Sequence, residues 1–337
     1  MSRAFVTWQL LSDSLRRGTP AMLLYVVQSQ GSSPGRQGFL MAVDAHGAMQ
    51  GSIGGGIMEH KLVLLAREQL AQLAPVSSLH PQIHSKAAPH NQSGMICSGE
   101  QTVLLYPVQT ADAAPIQLLL AALQQAQSGT LTLTPAGIAF QADTLPAQDY
   151  VFQQKQEADW LYQERIGPKN FLHLVGGGHC ALALSRLVHP LDFYIQLYED
   201  RPELNTFTAN THAHRKTAVA SYTELQALIP EGENHYVVVM TFGYRTDDIA
   251  VRALLGKQLR FLGLLGSQKK IEKMLDEYRS EGISPKQLQR LHAPVGLPIN
   301  SETPEEIAIS IAAQLIAVKN APHPPAPSPV ERRSQTT

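Results

Sequence analysis

Cysteine is nearly missing from this 337-residue chain: Cys97 and Cys180 are its only thiols, and they lie far apart in sequence. Two such thiols exclude a disulfide framework and a zinc site built from CxxC pairs. A bridge between them is compatible with the sequence, but a reducing compartment is the simpler expectation. An excess of either charge is missing too. Lys plus Arg (27) nearly cancels Asp plus Glu (28), so no broad field draws in nucleic acid or an anionic membrane. Binding therefore has to be local. No apolar run reaches the roughly 20 residues that span a bilayer. Ser12, Asp13 and Ser14 break the N-terminal stretch where a signal peptide needs an unbroken apolar core. A soluble, cytoplasmic protein without membrane or nucleic-acid partners is expected.

Apolar residues make up 44% of the chain, ample for two buried cores. The first half mixes patterns. A helix is predicted over Phe5 to Arg17, stopped by "GTP", followed by a β-rich run, "AMLLYVVQSQG". Strand, turn, short strand and glycine loop follow in "FLMAVDAHGAMQGSIGGG". From Ile57, Met58, Leu62, Leu65, Ala66, Leu70 and Leu73 fall at helical spacing. A strand ("QTVLLYPV"), a helix ("APIQLLLAALQQAQSG") and further strands ("TLTLTPAGIAF", "DYVFQQ") complete this part. After "RIGPKN" the texture changes to apolar strands alternating with helices, as in "FLHLVGGG", "DFYIQLYED", "HYVVVMTFG" and "RFLGLLGS". Parallel strands covered on both faces have this pattern. The fold class is therefore α/β, with a mixed α/β domain over residues 1–168 and a Rossmann-like, doubly wound domain over 169–320. Residues 321–337 form a Pro-rich tail expected to be disordered.

Three glycine-rich stretches carry candidate chemistry. "GSIGGGIMEH" sets Gly54, Gly55 and Gly56 before a predicted helix, with Glu59 in its first turn. Glycines there permit close approach to the backbone, and a helix N-terminus favours anions. In "FLHLVGGGHCALALSRLVHPLDFYIQLYEDRPE", Gly176, Gly178 and Ala181 fit GxGxxA between a strand and a helix, and the next strand ends in Glu199 and Asp200. That arrangement suits a nucleotide, whose pyrophosphate meets the helix while the acid accepts the ribose hydroxyls. An acid at that place favours a free 2′-hydroxyl over a 2′-phosphate. The alternative is a glycine turn that serves only close helix–strand packing. In "RFLGLLGSQKKIEKML", Ser267 and Lys270 open another helix after a strand; they suit a phosphate, or Lys269 and Lys270 are simply solvated.

Other patterns resolve to structure. "GSSPG" matches the G-x-S-x-G nucleophile elbow around Ser33, but Pro34 has no N–H to give an oxyanion, so a serine hydrolase is rejected. His212 and His214 in "THAH" are expected to be solvated, with no third metal ligand nearby. Cys97 is either a small buried residue or, if exposed among positive groups, a thiolate for sulfur or metal chemistry. "TPEEIAISIAAQLIAV" is a capped helix: Thr303 caps, Pro304 takes the first position and Glu306 closes a capping box.

Together these stretches resemble the XdhC/CoxI family, accessory factors that mature xanthine dehydrogenase and related molybdenum hydroxylases. "GSSPGRQGFLMAVDAHGAMQGSIGGGIMEHKL" is similar to the family's N-terminal signature, and "CSGE" stands where its members carry Cys-Gly-Gly. "VGGGHCALAL", "YEDRPE", "MTFGYRTDD", "FLGLLGSQKK", "LHAPVGLPI" and "TPEEIAISIAAQLIA" follow in family order, so the likeness covers about residues 1 to 320. It implies a non-catalytic chaperone that binds the molybdenum cofactor (molybdopterin), shields it during sulfuration and delivers it to apo-xanthine dehydrogenase. Such factors work with a cysteine desulfurase and often as homodimers. On this resemblance the amides of Gly54 to Gly56 hold the cofactor's anionic part, Glu59 accepts the pterin N–H groups, and Cys97 is the candidate for sulfur transfer or metal contact. Ser98, Phe242 and Gly243 depart from the family pattern, Phe242 standing where relatives usually have histidine. The rival reading is an NAD-dependent oxidoreductase built on the second domain. It needs a proton-transfer residue beside the nicotinamide, and His179, inside the glycine turn, is poorly placed for that. A scaffold with purely structural glycine loops is a further alternative.

Overall fold

The strand that follows the first helix alternates its side chains between two cores, and that alternation organises the first half of the molecule. The computed structural model describes residues 3–83, 99–156, 158–191 and 193–321. The chain divides into two compact units, Met1–Pro168 and Lys169–Thr337.

In the first unit, α1 (Arg3–Arg17) leads into β1 (Ala21–Gln30), β2 (Leu40–Asp44), β3 (Met49–Gly51), α2 (Gly56–Leu70), β4 (Ser78–Ile83) and β5 (Glu100–Pro107). These strands form one sheet, ordered β3-β2-β1-β5-β4, with antiparallel neighbours. Met22, Leu24 and Val26 of β1 join Met41, Val43, Val103 and Leu105 beneath α2, which contributes Met58, Leu62, Val63, Ala66 and Leu70. The alternate residues Leu23, Tyr25 and Val27 face the other way. There they meet α1, α3 (Ala113–Gln125) and a second sheet of β6 (Gly129–Thr134), β7 (Gly137–Ala142), β8 (Tyr150–Gln156) and β9 (Asp159–Ile166). The second sheet is antiparallel, in the order β7-β6-β9-β8. Period-two alternation thus places one strand between two apolar layers.

The second unit is doubly wound. Its elements are β10 (Asn170–Val175), α4 (His179–Val188), β11 (Phe193–Glu199), α5 (Asn205–Thr208), β12 (Arg215–Ala218), α6 (Leu225–Leu228), β13 (Gly232–Val239), α7 (Tyr244–Leu254), β14 (Leu259–Leu264), α8 (Gln268–Ser280), α9 (Pro285–Leu288), β15 (Leu291–His292) and α10 (Pro304–Asn320). All strand pairs are parallel, in the order β12-β11-β10-β13-β14-β15. This is the 3-2-1-4-5-6 Rossmann order, and it reverses between β10 and β13, where ligands of such sheets bind. Helices α4 and α10 cover one face and α6, α7 and α8 the other. Thr303 caps α10 and Glu306 completes the expected capping box. Among the described residues no helix is long and apolar enough to cross a membrane.

Two expectations change. Helix α2 ends at Leu70, leaving Leu73 fully exposed rather than on the buried stripe. Strands β4, β9, β12 and β15 go beyond the strands expected from the sequence. Strand β9 has a plain alternation, buried at Trp160, Tyr162, Glu164 and Ile166, whereas β4 is a half-exposed edge containing Pro81. His214 is exposed, as expected, yet its imidazole is engaged: its Nδ1 accepts the Ile195 N–H at 3.0 Å, and its ring stacks on His189 and Tyr194, each at 4.9 Å. Partial desolvation, with the neighbouring His189, brings its pKa down to about 4.

That stack continues as a row of rings across the sheet, from Tyr194 through Phe171 and His235 to His173 and Tyr198. His173 is completely buried, with Nε2 2.9 Å from His235 Nδ1 and Nδ1 3.2 Å from the Tyr198 hydroxyl. Burial, with the neighbouring His235, brings its pKa down to about 3. The unfolded chain therefore binds more protons than the folded one between about pH 3 and 6.5, so stability rises with pH across that window and is lost on acidification. Acidifying from pH 7 to 5 costs about 2 kcal/mol through His173 alone. Urea unfolding of His173→Gln at the two pH values is expected to show a pH dependence reduced by about that amount. An unchanged dependence would contradict the neutral, buried imidazole.

Candidate functional site

At one end of the β3-β2-β1-β5-β4 sheet three loops meet: residues 31–38, 52–56 and 99–101. Gln101 joins them. Its Oε1 accepts the Gly35 N–H at 3.0 Å and lies 2.6 Å from the Ser33 hydroxyl, while its Nε2 donates to Ile53 O at 3.0 Å. Gln101 and Ser33 are buried, so these bonds replace water that cannot reach them. Ser33 is thereby a loop-closing hydroxyl, in keeping with the rejected nucleophile elbow. The loops touch backbone to backbone: a Cβ on Gly54, whose φ is 126°, would lie 2.6 Å from Gly35 N.

The triple-glycine bend turns its amides inward. Glu59 Oε2 accepts the Ile53 N–H at 2.9 Å, the Gly55 N–H at 3.0 Å and the Ser52 hydroxyl at 2.7 Å. The Gly54 N–H donates in turn to Ser52 Oγ at 3.1 Å. The expected anion cradle is therefore corrected: the amides of Ile53 and Gly55 already serve an anion, the protein's own Glu59, and that of Gly54 serves the Ser52 hydroxyl. Glu59 keeps Oε1 without a hydrogen bond among the described residues. Gly55, with φ 76°, faces open space, since a Cβ built there meets nothing within 4 Å. Gly56 starts α2 and is exposed. Cys97 and Ser98 lie outside the described residues. On strands β1, β4 and β5 at this end, a pocket of about 110 Å³ is lined by Gln28, Gln30, Gln82, Glu100 and Thr102.

In the second unit the glycine fingerprint sits where the sequence predicts, at the exit of β10. Its residues divide. Gly176 is a packing glycine: a Cβ would lie 2.4 Å from Met240 O, so the turn rests on the exit of β13. Gly178 caps α4 and faces open space. Glu199 does not offer itself to a ribose. It is fully buried; Oε2 accepts the Gly177 N–H at 2.5 Å, and Oε1 accepts Arg201 N at 3.1 Å and Arg201 Nε at 2.9 Å. Burial nonetheless holds its carboxyl above the ordinary range. Asp200 is more open, and accepts the Tyr222 hydroxyl at 3.1 Å.

Lys270 is also corrected. Its ammonium pairs with Asp247 and donates to Leu265 O at 3.1 Å, rather than standing ready for a phosphate. Asp247 is completely buried and accepts both the Thr241 N–H at 3.0 Å and its hydroxyl at 2.7 Å. Ser267 caps α8, accepting Lys270 N at 3.4 Å. Sequence reasoning missed Gln101, Asp247 and Arg201. The only local signal was Asp247 in the first turn of a helix after a strand, and its lysine partner is 23 residues away.

Known proteins share both halves of this arrangement. A family model described as the XdhC Rossmann domain matches residues 172–315, and one described as the XdhC and CoxI family matches residues 14–79. An Escherichia coli relative, the uncharacterized protein YqeB, is 25% identical over 304 residues, covering 89% of this chain and 44% of YqeB. A Bacillus subtilis protein described as a probable xanthine dehydrogenase subunit is 28% identical over 162 residues, 47% of this chain and 46% of that one. The chain thus spans less than half the length of both relatives in these matches. A crystal structure from Bacillus halodurans, described as a xanthine dehydrogenase, shares the fold with a TM-score of 0.68 at 21% identity, over 95% of this chain and 98% of that one.

Replacing Lys270 with Met would leave Asp247 buried without its cation. A loss of about 3–5 kcal/mol in unfolding free energy is expected, measured by urea denaturation. A change under about 1 kcal/mol would return Lys270 to the solvated surface.

Proposed function

The chain belongs to the XdhC and CoxI family, and on that premise we propose that it is a chaperone for the molybdenum cofactor of xanthine dehydrogenase-type enzymes. It binds the molybdopterin, protects it while a cysteine desulfurase supplies the terminal sulfur, and hands it to the apo-dehydrogenase. It works as a homodimer and performs no turnover of its own. When bound, the cofactor supplies a metal with an exchangeable sulfur ligand and a pterin rich in N–H donors.

The observation that carries this reading is the meeting of three loops around Gln101, with an open side at Gly55 and a carboxylate oxygen left over at Glu59. The fit is partial, and informative for that reason. The amides of Ile53, Gly54 and Gly55 do not suit the cofactor's phosphate, because Glu59 and Ser52 occupy them. The pterin is better matched. Glu59 Oε1 is an acceptor held rigidly by its neighbour oxygen's bonds, and Gln28, Gln30, Glu100 and Thr102 bring further donors and acceptors in the nearby pocket. Gly55 lets a flat ring approach the bend without meeting a side chain. Cys97, two residues before Gly99 of the third loop, remains the residue proposed for sulfur chemistry.

The oxidoreductase reading loses support. Glu199, the acid that would orient an NAD ribose, is buried and saturated, and His179, the candidate proton-transfer residue at the glycine turn, is taken up as the first residue of α4.

Reconstitution tests the proposal. Apo-xanthine dehydrogenase incubated with sulfurated cofactor should gain several-fold more activity when this protein is present. Glu59→Gln, which keeps an acceptor oxygen for the loop amides but removes the charge, should retain less molybdenum and pterin after purification from a cofactor-producing host. Equal activation with and without the protein, and no retained pterin, would overturn it.

A further inference from the structure

Phe242 follows β13 at the C-terminal edge of the parallel sheet, and 84% of it is exposed. Single exposed apolar residues are ordinary, but this one is held out by a fixed loop. Thr241 before it gives both its N–H and its hydroxyl to buried Asp247, which is paired with Lys270. Gly243 after it donates its N–H to Thr246 Oγ1 at 3.2 Å. The ring is therefore presented rather than merely loose.

Arg201, just past the end of β11, lies over one face of this ring, with Cζ 4.8 Å from the centroid. Its Nε is committed to Glu199 Oε1. Neither of its Nη groups has a hydrogen-bond partner among the described residues. A guanidinium pinned at Nε, with both Nη groups presented, has the fork geometry that phosphates and carboxylates engage in pairs. Around Gly178 and Gly243, which flank this mouth, a Cβ would meet nothing within 4 Å.

We propose that Phe242 and Arg201 form a subsite for an adenine nucleotide that carries a phosphate on its ribose 2′ position. The base stacks on the ring of Phe242, a contact open to any purine face. The 2′-phosphate pairs with the two Nη groups of Arg201. The end of the second strand of a Rossmann sheet is where a ribose is read, by an acid for a free hydroxyl or by an arginine for a phosphate. Glu199 has spent its oxygens on Gly177 and Arg201, and Asp200 Oδ1 accepts the Tyr222 hydroxyl and lies 3.6 Å from Arg201 Nε, so the outer nitrogens of the arginine do the reading. This reverses the selectivity expected from the acid in the sequence. It stands independently of the metallopterin proposal and concerns residues of the second unit alone.

Titration calorimetry of the full chain with 2′,5′-ADP and with 5′-AMP tests it. The first is expected to bind at least ten-fold more tightly. Phe242→Ala should weaken 2′,5′-ADP ten-fold or more without shifting the melting temperature, because the ring is almost wholly in solvent. Arg201→Gln, whose amide can still donate to Glu199, should abolish the preference between the two nucleotides. Equal affinities, a preference for 5′-AMP, absence of binding by either, or indifference to Phe242→Ala would overturn the proposal. If Arg201→Gln does not fold, the two nucleotides and Phe242→Ala still decide. Neither probe contains a pterin or a metal, so failure here leaves the reconstitution result untouched.

Discussion

A backbone amide turned away from water needs an acceptor, and at its functional loops this protein supplies one from a nearby carboxylate. Glu59 takes the amides of Ile53 and Gly55, Glu199 those of Gly177 and Arg201, and Asp247 that of Thr241. Each acid follows or faces a glycine-containing bend at the end of a strand. The net effect is a set of loops whose shapes are fixed before any ligand arrives. Such preorganisation lowers the ordering cost of binding, and it also withdraws from service the very groups that a glycine motif advertises. The buried carboxylates Glu199 and Asp247 need compensation, which comes from these amides, from the Thr241 hydroxyl on Asp247, and from the cations Arg201 and Lys270.

On the proposed function and the proposed nucleotide subsite, recognition falls to what the carboxylates leave over. In the first unit that is the second oxygen of Glu59, the bare side of Gly55 and the amide side chains of the adjacent pocket. In the second unit it is Phe242 and the outer nitrogens of Arg201. Neutral, directional groups of the first kind suit a heterocycle with mixed donors and acceptors, whereas the second kind suits a base joined to a phosphate. The two proposals thereby give each compact unit its own ligand chemistry.

Much of this was legible in the sequence. Near-continuous apolar runs in the second half gave the parallel sheet, because strands covered on both faces carry no polar alternation. The glycine fingerprint fell at the exit of β10, and the capping box of α10 formed around Thr303 and Glu306. Strand β4 is obscured in the sequence by Pro81 and its half-exposed edge position, and β9 by the change of texture that follows it. The direction of the loop amides was not legible at all. Glu59 beside glycines looks the same whether it faces a ligand or its own bend, since spacing does not record which way an N–H points. Partners such as Asp247 and Lys270, or Gln101 and Gly35, are distant in sequence and meet only through the sheet. At Ser33 the missing N–H of Pro34 argues against a nucleophile elbow in the sequence, and the hydroxyl is bonded to Gln101 in the fold.

The self-capping of the triple-glycine bend is tested most directly by amide hydrogen exchange at Gly55, followed by NMR in the wild type and in Glu59→Ala. Gly55 is only half-buried, so its protection reports the bond to Glu59 rather than exclusion of solvent. Slow exchange in the wild type, accelerated about ten-fold or more by the substitution, is the predicted result. Rapid exchange in the wild type, or protection that survives loss of the carboxylate, would contradict the account.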